Sequence, residues 1–564
     1  MAVGTVHARY GPVEDLGEVV TSVIIHNAVF GTNDQKENEL YFVTNGYPAV
    51  FYALNLATMQ VVDRHELPGL DAVWAMAVGS DKQVYFHGTQ DCILYRYSPN
   101  QRQVRPLGKN PTGDAWVWDL KASQDGYIYG ATWPNAKVFA YDVQRGRFED
   151  FGRMADQPYA RSICVTEERL YVGIGMSACL YSVHRNNRSK QEIAIPHRGQ
   201  DGYVVSNIYV YQQNIFVQMN RSLYFVIDSV SGRILQSFPA EHSISPPSPD
   251  QPDLVYFKHG TLLYVYDLSR HDIRSLSSDV RLPKAPLVGA FWIRPPQTLS
   301  ATCSARSEWV LFGLTQNGEW FIYDPLSSMC EVAQVNVHPR GLVIQALESG
   351  ANGYLYLGGY HGGLSIYAPS AEKVVGRVPT FPQTEGIGRL DEHMYMGTYR
   401  NANIYRLDPS KGLGKDNPAW MFAVGARQDR PFAFASGDGK VFIGTVPEYG
   451  LLGGALTVYD PDADRRTTYP DIIKDQSIIS LVYRQGKVYG ATSIYGGLGS
   501  LPRADAAKVF IWDASTETLL AETVPDLPDI DMPPKAIGEL RFGPDGKLWG
   551  ATYRTIFVMD PKTL

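Results

Sequence analysis

Short stretches of the chain alternate apolar and polar residues with period two, as in VFAYD from Val138 and LYRYS from Leu94. That is the periodicity of strands, not of helices. The strands recur as one unit: an apolar strand, a turn, a strand ending in glycine, a short loop, and a strand running into Tyr-Asp-Pro. Its clearest copies are YIYGATWPNAKVFAYD from Tyr127, YLYLGGYHGGLSIYAP from Tyr354, MYMGTYRNANIYRLDP from Met394 and KLWGATYRTIFVMDP from Lys547. Weaker copies begin near Leu40, Val84, Leu170, Ile215, Val255, Val310, Val441 and Val488. One aromatic or apolar residue ahead of the loop marks each unit: Tyr41, Tyr85, Tyr129, Tyr171, Phe216, Tyr256, Leu311, Tyr356, Tyr395, Phe442, Tyr489 and Trp549, at spacings of 39 to 60 residues. Such a period, with four short strands per unit, predicts an all-β fold, a β-propeller of about twelve blade-like repeats. The pairs Asp125-Gly126, Asn317-Gly318, Asn352-Gly353, Asp438-Gly439 and Asp545-Gly546 are expected between the first and second strands of their units, where tight hairpins take such residues.

Twelve units exceed the usual about four to eight blades of one ring, so two rings are expected. The irregular spacing between Tyr256 and Leu311 suggests a division into residues 1–280 and 281–564. The proline-rich SISPPSPDQPD from Ser243 reads as a decorated loop of the sixth unit. The final unit ends after three strands at Asp560-Pro561, and the N-terminal ARYGPVEDLG resembles the outer strand RFEDFGRM at Arg147. It is expected to supply the missing strand and remove an open edge. That closure would put the first and last units in one ring, with the other ring inserted.

Composition narrows the function classes. The chain has 564 residues, 44% hydrophobic and 19% charged, which supports well-buried cores and excludes a disordered chain. Its 51 basic against 58 acidic residues argue against nucleic acid as the partner. The opening MAVGTVHARYGPVEDLGEVV has no basic segment followed by an apolar one, and no stretch approaches the ~20 apolar residues of a membrane span. Five cysteines, Cys92, Cys164, Cys179, Cys303 and Cys330, show no CxxC spacing and read as buried thiols. The expectation is a cytoplasmic protein without membrane contact, or a secreted one if a leader has been removed.

In a propeller, the loop after each second strand and the connection into each innermost strand open on the same face. The loops supply Asn45, Tyr47, His87, Gln90, Trp133, Asn135, Tyr360, His361, Tyr399, Arg400, Tyr449, Tyr495, Tyr553 and Arg554. The connections supply Trp74, Trp116, Trp118, Arg161, Arg340, Arg389, Asp429, Arg430, Asp475 and Lys535. Aromatic rings stack on pyranose faces and arginine forks pair with carboxylates, so this inventory suits an acidic oligosaccharide or polysaccharide. Two loops are enlarged alike, TVPEYGLLGGAL from Thr445 and TSIYGGLGSLPRADAAK from Thr492. They either cap the rim or build one wall of a pocket.

No GxSxG, HExxH, P-loop or CxxC motif is present, so nucleophilic hydrolysis and phosphoryl transfer lack support. Glycoside hydrolysis would require paired carboxylates, for which Asp429 and Asp475 are the candidates. No cofactor is expected; a divalent metal on scattered histidines is the alternative. β-Elimination from a uronic acid fits better, because it needs a cation on the carboxylate, a base and an acid. His361 or His87 would be the base, Tyr360, Tyr399 or Tyr449 the acid, and Arg161, Arg400 or Arg430 the carboxylate partner. Trp133, Tyr495 and Tyr553 would line the substrate. The competing reading is a non-catalytic protein-binding platform, with these tyrosines packing strands.

The repeats GATWPNAKVFAYD, GTYRNANIYRLDP and GTVPEYGLLGGALTVYDP, with QDRPFAFASGDGKVFIG, resemble a group of bacterial propeller proteins over nearly the whole chain. The nearest type is the L-rhamnose-α-1,4-D-glucuronate lyase family, with oligogalacturonate and ulvan lyases as broader relatives. The resemblance implies a propeller-fold polysaccharide lyase acting on rhamnose-capped glucuronate. It assigns no individual catalytic residue.

Overall fold

The computed structural model describes residues 15–276, 281–297, 307–528 and 530–564. Antiparallel strands make up twelve successive sheets. Eight have four strands in chain order, the fourth and fifth fuse through pairing of Gly175–Ser177 with the strand Asp201–Tyr211, and the sixth and twelfth have three. Eleven of the twelve marker residues lie on second strands, from Tyr41 on Asn38–Thr44 to Trp549 on Leu548–Thr552, whereas Tyr256 is on Leu254–His259, the first strand of the three-stranded sixth sheet. Eleven are buried and Trp549 is 40% exposed. The repeat is local because each hairpin satisfies its own backbone hydrogen bonds. Its alternate residues face the neighbouring sheets.

Seams of apolar side chains join consecutive sheets. Tyr41, Phe51 and Phe86 join the first sheet to the second, and Phe216, Phe238 and Phe257 join the fifth to the sixth. Leu311 and Tyr256 join the sixth to the seventh. Phe42, Tyr52, Phe312 and Trp320 then join the seventh back to the first. Seven sheets therefore close on themselves, and Leu287–Ile293 packs beside Ile25–Thr32. The position 280/281 falls between the sixth and seventh sheets of this circuit.

The remaining five sheets, with innermost strands Ile344–Ser349, Thr384–Leu390, Gln428–Gly437, Ser477–Arg484 and Glu539–Phe542, pack in sequence. Thr21–Ser22 pairs with Arg340–Gly341 and ties the start of the first group to this second one. Val20 packs on Leu357 and Tyr367 of the eighth sheet.

Two expectations change. Asn317-Gly318 turns between the second and third strands of the seventh sheet, Val310–Thr315 and Glu319–Tyr323, since a long connection replaces the hairpin between its first two strands. The proposed closing strand, residues 8–17, lies mostly outside the described residues, and Asp15–Gly17 form no strand. The twelfth sheet keeps three strands among the described residues. No helix among the described residues is long and apolar enough to cross a membrane.

Candidate functional site

Nearly every innermost strand slips register against its neighbour close to its start. Val73 and Ala75 pair with Gly88 and His87, leaving Trp74 out of the ladder. The same slip leaves out Trp118, Arg161, Ser206, Val288 and Asp429, and both His26 and Asn27. An extra residue in one strand bends it and re-aims a side chain. All of these bulge residues line one cavity of about 1130 Å³. Six of the seven innermost positions of the closed group supply its floor. Its opposite wall comes from the second group: His361, the segment 379–383, Tyr399–Asn401, Asp429 and Tyr449.

Charges in this cavity are unevenly matched. Asp119 is 2.5 Å from Lys121 Nζ and accepts the Ile163 N–H. Glu241 pairs with the fully buried Lys258 at 2.9 Å, and Glu448 with Arg427 at 2.9 Å. Asp429 accepts the Asn401 N–H at 2.8 Å, and Glu319 accepts from the Asn317 amide. The lining carboxylates are thus engaged. Arg161, Arg221 and Arg400 also line the cavity, yet none forms an ion pair among the described residues. Burial, then the neighbouring Arg221, pushes the Arg161 guanidinium down to about 9. Burial, then Arg400, lowers Arg221 as well. Arg400 moves the other way: Tyr399 and Asp429 outweigh its burial.

The aromatic side chains support these cations. Arg161 lies 4.6 Å from the Trp118 ring centre and Arg221 5.8 Å from that of Trp74. Trp118 stacks on Tyr159, and Trp74 stacks on His26 at 3.5 Å and 8°. With cations and rings on their faces, these tryptophans are not open platforms for a sugar, contrary to the expected stacking. His26 Nε2 lies 2.9 Å from Asn45 Nδ2 and its ring meets His361 edge-on at 4.9 Å. Burial holds His361 down at about 4, with Arg430 and Arg221 contributing, so it is neutral near pH 7. His26 and His242 are lowered for the same first reason.

Beside Arg400 stand two tyrosines. The phenolic oxygens of Tyr399 and Tyr449 share a 3.1 Å hydrogen bond, and Arg430 Nη2 donates to Tyr449 at 3.2 Å. Arg430 also covers the Tyr399 ring at 4.1 Å and pairs with Glu385 at 2.7 Å. Burial alone would raise both phenols. At Tyr399 the pull of Arg400, Arg221 and Arg430 wins, and it falls below the ordinary tyrosine value; Tyr449 rises. Two titrating groups pushed apart in this way are suited to opposite roles in proton transfer.

Of the eleven residues given a catalytic or substrate-binding role from sequence, His361, Tyr399, Tyr449, Arg161 and Arg400 line the cavity, as do Trp74, Trp118 and Asp429 from the wider inventory. Arg430 and Tyr360 stand directly behind, the latter with its ring 4.0 Å from that of His361. The other four lie elsewhere. His87 is buried inside its sheet, with Nδ1 2.8 Å from the Gly88 carbonyl and Nε2 3.0 Å from Asn110. It is a packed, satisfied histidine away from the cavity lining. Trp133 sits behind the wall against Trp116 and Tyr159. Tyr495 and Tyr553 are 51% and 71% exposed and outside the lining. Sequence reasoning missed His26, Arg221, His242 and Glu385. His26 occupies the same innermost-strand position as Trp74, and Arg221 the loop after the second strand Asn214–Met219, so both followed the rule that found the others.

Among the described residues no group of three or more His, Cys, Asp or Glu side chains is placed to hold a metal ion. No family model and no curated protein matches the chain. Solved structures similar to it include the extracellular domain of a two-component system from B. thetaiotaomicron, 12% identical over 95% of this chain and 81% of that one, TM-score 0.28. Another is the RRP9 WD40 repeats, 11% identical over 52% and 88%, TM-score 0.41. A third is PorZ, a surface component of the type-IX secretion system of Porphyromonas gingivalis, 12% identical over 96% and 73%, TM-score 0.40. At such scores none of them bears on what the chain binds or does.

Proposed function

We propose that the protein is a carbohydrate-active lyase that binds an acidic glycan in this cavity and cleaves it by β-elimination at a uronate. The observation that carries the reading is the Tyr399–Tyr449 pair, with its basicities pushed apart, beside Arg400, which lines the cavity and forms no ion pair with a carboxylate among the described residues. A uronate carboxylate against Arg400 gains a charge-assisted contact, and the guanidinium stabilises the electron density that builds on the carboxylate as the neighbouring proton leaves. Tyr399, as phenolate, takes that C5 proton. The C5–H electron pair becomes the C4–C5 double bond, the C4–O bond breaks, and the departing oxygen takes the proton of Tyr449. Tyr399 ends protonated and Tyr449 deprotonated, and one proton passing between their oxygens restores the start. This reverses the expected assignment, in which a histidine was the base; His361, neutral and flanked by rings, would instead shape the wall.

Hydrolysis suits the cavity less. Asp429 is engaged by the Asn401 N–H, and Asp475, its expected partner, is outside the lining and near Lys474 and Arg503. The test is ultraviolet absorbance of the unsaturated product on a panel of uronate glycans, rhamnose-capped glucuronides included. A rise that Tyr399→Phe abolishes supports elimination. A flat trace from folded protein across the panel sinks it for those substrates.

A further inference from the structure

Arg400 faces the tyrosine pair, but Arg161 and Arg221 extend from it along the floor, toward Trp118 and Trp74. Both are part-exposed to the cavity, their supporting Trp74 and Trp118 rings 5.2 Å apart, and two cations that line one space without an ion pair repel each other and favour an anion between them. Among the described residues no ion pair fills that role: Asp429, which acts on Arg221, accepts the Asn401 N–H and forms no ion pair with it. Asp119, the acidic group that acts on Arg161, is already held by Lys121 and the Ile163 N–H. His242 beside them is held neutral and offers no negative charge. The tryptophan faces fix the guanidinium planes without neutralising them.

We infer that Arg161 and Arg221 form a second anion subsite, so that the glycan carries another oxyanion on the sugar next to the uronate that is cleaved. This rests on the reading of the cavity as an acidic-glycan site. Fork-shaped donors match a carboxylate or a sulfate equally. The ligand class is therefore an acidic oligosaccharide charged on adjacent residues, not a uronate capped by a neutral sugar.

Calorimetry on the Tyr399→Phe protein, in which turnover is slowed, compares three disaccharides: uronate with neutral sugar, uronate with uronate, and uronate with sulfated sugar. At low salt at least one doubly acidic probe should bind about tenfold tighter or more than the singly acidic one, as a charge-assisted hydrogen bond provides. The two doubly acidic arms separate carboxylate from sulfate. Arg161→Gln and Arg221→Gln should collapse that ratio, while Arg161→Lys keeps part of it; thermal melts check the fold of each. Equal affinity for all three probes, or a ratio that survives Arg161→Gln, overturns the second subsite. If the ratio holds but wild-type protein eliminates nothing, the subsite stands and the lyase reading falls. If elimination occurs with a ratio of one, the reverse is true. Absence of binding by every probe overturns both.

Discussion

Tyr399 and Tyr449 meet through their hydroxyls at 3.1 Å across the seam between two neighbouring sheets. The same seam carries Arg430 against Glu385 at 2.7 Å. Each sheet contributes one tyrosine from a loop and one member of the ion pair from its innermost strand. Arg430, anchored by Glu385, then reaches the Tyr449 hydroxyl and covers the Tyr399 ring. The tyrosine pair is therefore held by a scaffold as reciprocal as the packing of the blades.

Removing the Tyr399 hydroxyl should lower kcat for elimination by about 10²–10⁴-fold, the usual worth of one general acid–base group, with glycan affinity little changed. Tyr449→Phe should cost a similar factor for poor leaving groups and less for good ones. Initial rates on substrates differing only in the departing group check this. The rate of wild-type protein should rise with pH to a plateau whose midpoint lies below the ordinary tyrosine value of 10.0.

Glu385 is fully buried and Arg430 largely so. Glu385→Ala leaves that guanidinium without its carboxylate and should destabilise the fold by about 3–5 kcal/mol, whereas replacing both by apolar residues should cost much less. Urea midpoints at constant slope measure the difference. An equal loss in single and double variants would contradict the pairing.

His87 and His361 both sit at about 4 when folded, against 6.5 when exposed, burial being the first cause. The unfolded chain thus binds protons more readily between those values. Their stabilising share is complete above pH 6.5, falls as the pH drops, and is fully lost below about 4, a loss on the order of 3 kcal/mol at most for each. Thermal melts across that window should show the decline, and His87→Gln should flatten part of it.

The glycine-rich enlarged loops permit close approach. A Cβ on Gly497 would collide with the Glu448 carbonyl, and one on Gly450, at φ +76°, would lie 2.9 Å from Gly202 N in the first group. Gly497→Ala should therefore push away the loop bearing Tyr449, cutting elimination severely while the melting temperature falls only modestly. Unchanged turnover in that variant would argue that Tyr449 is not needed in its present place.

The twelve repeats were legible because they are local. Period-two alternation and hairpin turns are written within some forty to sixty residues, and every marker but Tyr256 falls on a second strand. The face carrying the site was legible too, since strand order dictates which loops share it. What stayed hidden depends on packing between distant segments. The seam of Phe42 and Tyr52 with Phe312 and Trp320 closes seven sheets. His26 meets His361, and Arg161, Arg221 and Arg400 converge, only because that closure brings two groups of loops to one cavity. His87 and Trp133 obeyed the loop rule yet lie outside the cavity lining, since side-chain direction follows from register and bulges. Sequence periodicity determines the elements through short-range hydrogen bonding; apolar burial between sheets, which has no sequence period of its own, decides which charges meet.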